Sequence, residues 1–227
     1  MDMTTEIRTR RRADALTRQR IVEAAIEILD RDGEDALTFR ALAAHLATGS
    51  GAIYWHVADK QALLAAATDP IIAAALSEAA AKPQPQDAIR ALALGIFDAI
   101  DAHPWVGAQL SRDPWQYAVL RILEGIGAQV QAMGVPEPAQ FNAATALLSF
   151  ILGLAGQYAT RPQIAPEGMD RVEVLESVAA KWAQLDPAEH PFVRQVAAML
   201  AGHDDREQFL AGIDFILAGI QQNAVAK

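Results

Sequence analysis

No cysteine occurs in the 227 residues, so neither a disulfide framework nor thiolate chemistry is open to this chain. The N-terminus lacks the charged-then-apolar pattern of a secretory leader, and a cytoplasmic protein is expected. No run alternates apolar and polar residues with the period of a strand, and no segment repeats. The expected class is all-α. Net positive charge is missing too: at −9 the chain is not a generic polyanion binder. No grouping of nucleophile, base and acid is recognisable from spacing. Gly49-Ser50-Gly51 has neither the preceding strand nor the following lysine–serine pair of a phosphate loop.

What is there is unevenly distributed. Residues 1–20 hold six arginines (Arg8, Arg10, Arg11, Arg12, Arg18 and Arg20) against Asp2, Glu6 and Asp14, a local balance of +3. An acidic body with a basic arm at one end is compatible with nucleic-acid binding at that end. Residues 1–15 show no apolar period and read as a disordered tail, or as an arm along phosphates. Thr17 begins the first helix, with Leu16 and Ile21 at the spacing of a hydrophobic staple. Ile21, Val22, Ala25, Ile28 and Leu29 form its stripe, and Gly33 stops it.

The stretch from Thr38 to Lys60 organises the rest. Thr38 is the N-cap of a helix that buries Leu42, Ala43 and Leu46, and Leu37 and Leu42 repeat the staple. Ala47 to Gly51 turns the chain, the expected positive φ falling on glycine. A second helix of about two turns carries Ile53 and Val57 inward at i and i+4, so at least two of Tyr54, Trp55 and His56 project outward. Two short helices joined by a small-residue turn predict a helix-turn-helix.

Ile53-Tyr54-Trp55-His56-Val57, followed by Asp59-Lys60 and Leu63-Leu64, resembles the N-terminal domain of TetR-type transcriptional regulators. The likeness spans roughly residues 17–64. Thr48 stands where the family usually has an apolar residue. Gly49 replaces the usual N-cap serine, and Ser50 is expected to cap instead, shifting the helix start by one. The resemblance implies an N-terminal three-helix DNA-binding domain (residues 1–64) and a larger helical dimerisation and effector domain (residues 65–227). It also implies that Arg40 reads bases, that Ser50, Gly51 and Ala52 open the recognition helix beside the Thr38 cap, and that Tyr54, Trp55, His56 and Lys60 meet the DNA backbone or groove edge. Lys60 sits unfavourably in a first helical turn, which points to an anion, such as phosphate, that offsets the penalty.

Beyond Lys60 the chain reads as helix after helix. Pro70 is expected to kink or end the first of them, and Lys82–Gln86 reads as a linker. Asp87–Asp101 buries Ile89, Leu92, Ile96 and Ile100. Asp113-Pro114 predicts an N-cap and first turn of a helix running to Met133 and stopped by Gly134. Another helix starts near Pro138. The last three are expected at Asp170–Leu185, Pro187–Ala201 and Arg206–Gln222, with Asp205 and Gln208 at capping-box spacing. Phe141–Thr160 is charge-free and long enough to cross a bilayer, but its polar residues favour a helix buried on most of its circumference. In TetR-like proteins such a helix packs with the final one in a dimer interface. Phe209, Ile213, Ile216, Leu217 and Ile220 are the expected matching stripe.

Phe97, His103, Trp105, Trp115, Tyr117, Arg121, Phe150, Gln157, Tyr158 and Trp182 are candidates for a small-molecule pocket, each with ordinary core packing as the alternative. Arg121 either pairs with Glu124 on the surface or awaits a ligand. His203-Asp204 is half of the metal signature of helical phosphohydrolases, with His103, His190 and Asp214 as nominees for the remainder; the competing reading is an exposed turn that caps the last helix. The expected function is a homodimeric DNA-binding regulator, a repressor released from double-stranded operator DNA by a small hydrophobic effector. No catalysis, cofactor, metal or membrane partner is expected. The alternative is a metal-dependent phosphohydrolase built around His203-Asp204.

Overall fold

Staples, caps and glycine stops set the first helices where the sequence predicts them. In the computed structural model, which describes residues 16–112, 115–159 and 171–225, α1 spans Arg18–Asp32. The Thr17 hydroxyl accepts from the Arg20 amide at 3.2 Å, and Gly33 ends the helix at φ 79°. A 3-10 turn (Glu34–Ala36) leads to α2 (Phe39–His45), where Thr38 Oγ1 accepts from Ala41 N at 3.0 Å. Leu37 and Leu42 are both fully buried, closing the staple. The third helix, α3, is Ser50–Tyr54, and a connection over residues 55–59 leads to α4, Lys60–Ala80.

The larger part consists of α5 (Pro85–Ala102), α6 (Pro104–Arg112), α7 (Tyr117–Ala132), α8 (Glu137–Ala159), α9 (Arg171–Ala183), α10 (Pro191–Val196), a 3-10 turn (Ala197–Met199) and α11 (Asp205–Val225). No strand occurs among the described residues. The class is all-α: an N-terminal helix-turn-helix followed by a larger helical body.

One apolar core runs from Ile21 in α1 through Leu63, Leu64, Ala67 and Ile72 in α4 to Ile213 in α11. α4 joins the two parts without a break. Its length and composition would suffice to cross a membrane, but its apolar side chains are those that pack on α1, α5 and α7. Gly95 lets α4 and α5 meet closely, since a Cβ there would lie 2.9 Å from that of Ala75. Phe209 of α11 stacks between Phe97 of α5 and Phe150 of α8, with ring centroids 5.4 and 5.5 Å away. Gly212 is required beside this stack: a Cβ would sit 2.2 Å from Phe150 Cζ.

Several expectations are corrected. Pro70 does not end α4, which continues to Ala80. It lies on the exposed side, where water can satisfy the Ala66 carbonyl deprived of its amide partner. The linker shrinks, because Pro85 is the first residue of α5 with Gln84 as N-cap. Asp113-Pro114 lies outside the described residues, and α7 opens at Tyr117 behind Gln116. The helix expected from Pro187 begins at Pro191, which supplies the fixed φ of a first turn. The cap of α11 is Asp204, whose carboxylate accepts from Glu207 N at 2.8 Å, because Asp205 is engaged by Arg171 and His203. Phe209, Ile213, Leu217 and Ile220 are buried within their own chain, packed toward α5 and α8, so they are core rather than a free stripe.

Candidate nucleic-acid interface

The turn between α2 and α3 is built differently from its sequence reading. Glycine does not supply the left-handed residue: Gly49 has φ −84°, while Ala47 has φ 50°. Ala47 N donates to Ala44 O at 3.2 Å and Thr48 N to Ala43 O at 2.9 Å, the paired bonds of a Schellman ending. The second turn at Gly134 uses the same pair of bonds, with glycine in the left-handed position. α3 starts at Ser50 with Gly49 as an N-cap that makes no side-chain bond, so the expected one-residue shift does not occur.

The core side of α3 is short and firm. Ile53 is fully buried and Val57 nearly so, and they hold a helix of five residues that would not persist alone. The opposite side is open. Thr38, Arg40, Ser50, Gly51, Tyr54, Trp55 and His56 are exposed, Trp55 by 90%; Ala52 is half-buried. Phe39, unremarked in the sequence, stacks on Tyr54 with centroids 4.3 Å apart and planes at 8°. That contact braces α2 against α3 from outside the core. His45 Nε2 lies 2.9 Å from a Glu27 carboxylate oxygen and ties α2 to α1.

Lys60 has an internal partner. Its Nζ donates to the Glu34 carbonyl at 2.6 Å, so an acceptor on the first residue of the chain's own 3-10 turn takes the place expected for an external anion. The Glu34 carboxylate meanwhile accepts both terminal nitrogens of Arg112 at 3.0 and 2.8 Å. The Arg112 hydrogen bond, with its charge and that of Lys60 behind it, holds Glu34 below the ordinary carboxylate range despite partial burial.

The ten residues expected around a ligand fall in separate places. His103 Nδ1 and Trp105 Nε1 both meet Asp30 Oδ1 at 2.7 Å, so they join the body to α1. Arg121 pairs with neither Glu124 nor a vacancy: it donates to Asp69 at 2.6 Å on α4 and lies over the Tyr117 ring. Phe97 and Phe150 belong to the phenylalanine stack. Trp115, Tyr117 and Gln157 are exposed and Trp182 is half-buried on α9. The side chain of Tyr158, like the arginine-rich arm, lies outside what is described. The partners of these polar groups are 52 to 75 residues away in sequence, and no local pattern signals them.

The phosphohydrolase nominees are scattered. His203 pairs with Asp205, His103 with Asp30, His190 lies 3.9 Å from Glu189, and Asp214 accepts from Arg90. No cluster of three potential metal ligands exists among the described residues.

An exposed polar and aromatic helix-turn-helix face on an all-α chain, with a larger helical body behind it, is the arrangement of a DNA-binding regulator. Two family models match: that of bacterial regulatory proteins of the tetR family over residues 21–67, and that of the tetracyclin repressor-like C-terminal domain over residues 80–224. The chain belongs to the TetR family of transcriptional regulators. An HTH-type transcriptional regulator of Saccharopolyspora erythraea is 28% identical over 211 residues, 92% of this chain and 86% of that protein. The class D tetracycline repressor of Escherichia coli is 43% identical, but over 58 residues only, 26% of this chain and 27% of its own length. The structure of SCO7222, a TetR from Streptomyces coelicolor, superposes with a TM-score of 0.82 at 53% identity, covering 92% of this chain and 100% of that one.

Proposed function

We propose that the protein is a homodimeric repressor that leaves its operator when a small hydrophobic molecule binds. Residues 1–64 act as the DNA-binding part and residues 65–227 as the dimerisation and effector part, working in the cytoplasm on duplex DNA. The observation that carries this reading is the solvent-facing set Arg40, Ser50, Tyr54, Trp55 and His56 on a helix pair held from below by Ile53 and Val57.

Ser50, Gly51 and Ala52 offer one side-chain hydroxyl among them, so base readout leans on Arg40, whose planar fork suits guanine O6 and N7. Arg40→Ala should weaken operator binding by about 1–3 kcal/mol and relax preference at one base pair per half-site. Lys60, whose Nζ is held by the Glu34 carbonyl, positions the start of α4, so Lys60→Ala should weaken all sequences alike and leave the salt dependence unchanged. Mobility shifts with DNA from beside the protein's own gene test both. Equal relaxation of specificity by the two variants would overturn the assignment.

The dimer reading moves to the outer sides of α8 and α11. Asn142, Ser149 and Gly153 are exposed on one; Ala211, Phe215 and Ala218 are exposed on the other, Phe215 by 79%. A Cβ on Gly153 meets nothing within 4 Å in its own chain. Between the two helices lies a groove of ≈ 510 Å³ lined by Val135, Pro138, Ala139, Ile216 and Ile220 among others, which extends the same apolar face. Gly153→Arg and Phe215→Asp should therefore give folded monomers in sedimentation; an unchanged dimer in both would refute the interface.

His103 and Arg121 are occupied by Asp30 and Asp69, which favours a neutral effector over an anionic one. Thermal-shift screening of neutral and anionic hydrophobic compounds tests this, and stabilisation by anions alone would reverse it. The exposed proline in α4 is the proposed hinge. Pro70→Ala should alter effector-driven release, and unchanged release would reduce it to a packing feature.

A further inference from the structure

The short helix α6 meets the DNA-binding part at both of its ends. Where α5 gives way to α6, His103 and Trp105 converge on one carboxylate oxygen of Asp30 in α1, each at 2.7 Å. Trp105 is buried and its indole N–H can only donate; facing a carboxylate, His103 Nδ1 must carry the proton as well. At the other end Arg112 forks onto both oxygens of Glu34, with Gln109 Oε1 accepting from the same guanidinium at 3.2 Å. Glu34 in turn receives Lys60 on its carbonyl, next to the start of α4. Between these ends α6 buries Val106, Gly107 and Leu110 and packs against α4, α5 and α8.

We infer that Asp30–His103/Trp105 and Glu34–Arg112 form a two-point clamp through which α6 fixes the orientation of the DNA-binding part. These are positioning residues: they set operator affinity without touching DNA. Two contacts at the ends of a nine-residue helix restrain rotation as well as separation, which one contact does not. Both pairs are partly solvated, with side-chain exposures of 27% and 33% for His103 and Asp30 and 41% and 27% for Arg112 and Glu34. A contact of that kind holds an orientation while contributing little to folding, so it can be released without unfolding.

The proposal rests on the DNA-binding reading, and its test separates the two. Trp105→Phe keeps the ring and removes the N–H; Arg112→Met keeps the stem and removes the fork. Without any native cysteine, Gln19→Cys on α1 and Ala128→Cys on α7 accept a single pair of spin labels, diluted with unlabelled chain. Without DNA, the distance distribution should be narrow in the parent and broad in Trp105→Phe/Arg112→Met, while amide exchange within α1, α2 and α3 stays unchanged. With DNA from beside the protein's gene, affinity should fall roughly 2- to 30-fold, with the same dependence on salt as the parent. Glu34→Gln added to Arg112→Met should cost no further affinity.

An unbroadened distance refutes the clamp whether or not DNA binds. A salt slope lowered by about one identifies Arg112 as a phosphate contact, and lost protection in α1 to α3 assigns a folding role; either overturns the proposal. Failure of the parent to bind any duplex refutes the regulator reading, leaving the distance measurement to judge the clamp.

Discussion

The helix-turn-helix and the body behind it solve the same problem with different partners. In residues 17–64 the helix starts are capped by neighbours: Thr17 caps Arg20, Thr38 caps Ala41, and Asp59 caps Ala62, all three residues apart. In the body the decisive polar contacts are remote: Arg121 with Asp69, Arg206 with Asp98, and Arg90 with Asp214, 124 residues away. A small unit must define itself locally, because it has little core to spend on long-range order. A large body can afford contacts that exist only once the chain has folded.

That contrast can be broken first at its apolar base. Phe209→Ala removes the middle ring of the stack joining α5, α8 and α11 and should destabilise the body by about 3–5 kcal/mol, read by denaturant unfolding followed by circular dichroism. A loss below 1 kcal/mol would mean that the stack is not what holds α11. Ile53→Ala should cost about 2–5 kcal/mol in the small unit and abolish operator binding, because α3 has little else beneath it. Retained binding would show that Phe39–Tyr54 stacking suffices to hold the recognition helix.

Much of the small unit was legible for the reason just given. The staples, the Thr17 and Thr38 caps and the inward pair Ile53 and Val57 are local signals that lie where their spacing predicts, but Ser50 does not cap and α3 ends at Tyr54, before Val57, rather than running two turns. The errors there concern backbone: which residue of the turn takes positive φ depends on hydrogen bonds to Ala43 and Ala44, not on where glycine occurs. In the body, apolar patterning and its stops located α5, α7 and α8, but periodicity cannot distinguish a residue facing a ligand from one facing its own core. His103, Trp105 and Arg121 were singled out as unusual side chains on apolar helices. Their partners Asp30 and Asp69 carry no local signal, and only the fold joins them.

Two smaller tests sharpen the comparison. Glu34 links both parts, and its pKa is lowered first by the Arg112 hydrogen bond. A carboxyl depressed in the folded state contributes stability above its unfolded pKa, and that contribution disappears as pH falls through the depressed native value. Glu34→Gln should therefore flatten the acid limb of the stability profile relative to the parent, and parallel limbs would show that the pair carries no linkage. The smallest effect is expected at Ala47. Left-handed alanine costs roughly 1 kcal/mol or more, while glycine there adds unfolded-state entropy worth roughly 0.4–1 kcal/mol. Ala47→Gly should come out neutral to slightly stabilising, and a loss beyond about 1 kcal/mol in thermal unfolding would contradict the strained turn.

The unbroken course of α4 has a mechanical meaning. Its 21 residues make a rod of about 32 Å at 1.5 Å per residue. Rotating the part of that rod ahead of the proposed Pro70 hinge, about 15 Å of helix, by roughly 12° sweeps the Lys60 end through about 3 Å, close to the 3.4 Å spacing of successive base pairs along one strand. Leverage converts a displacement too small to disturb the packing of α4 against α5 into one large enough to put a recognition helix out of step with its groove.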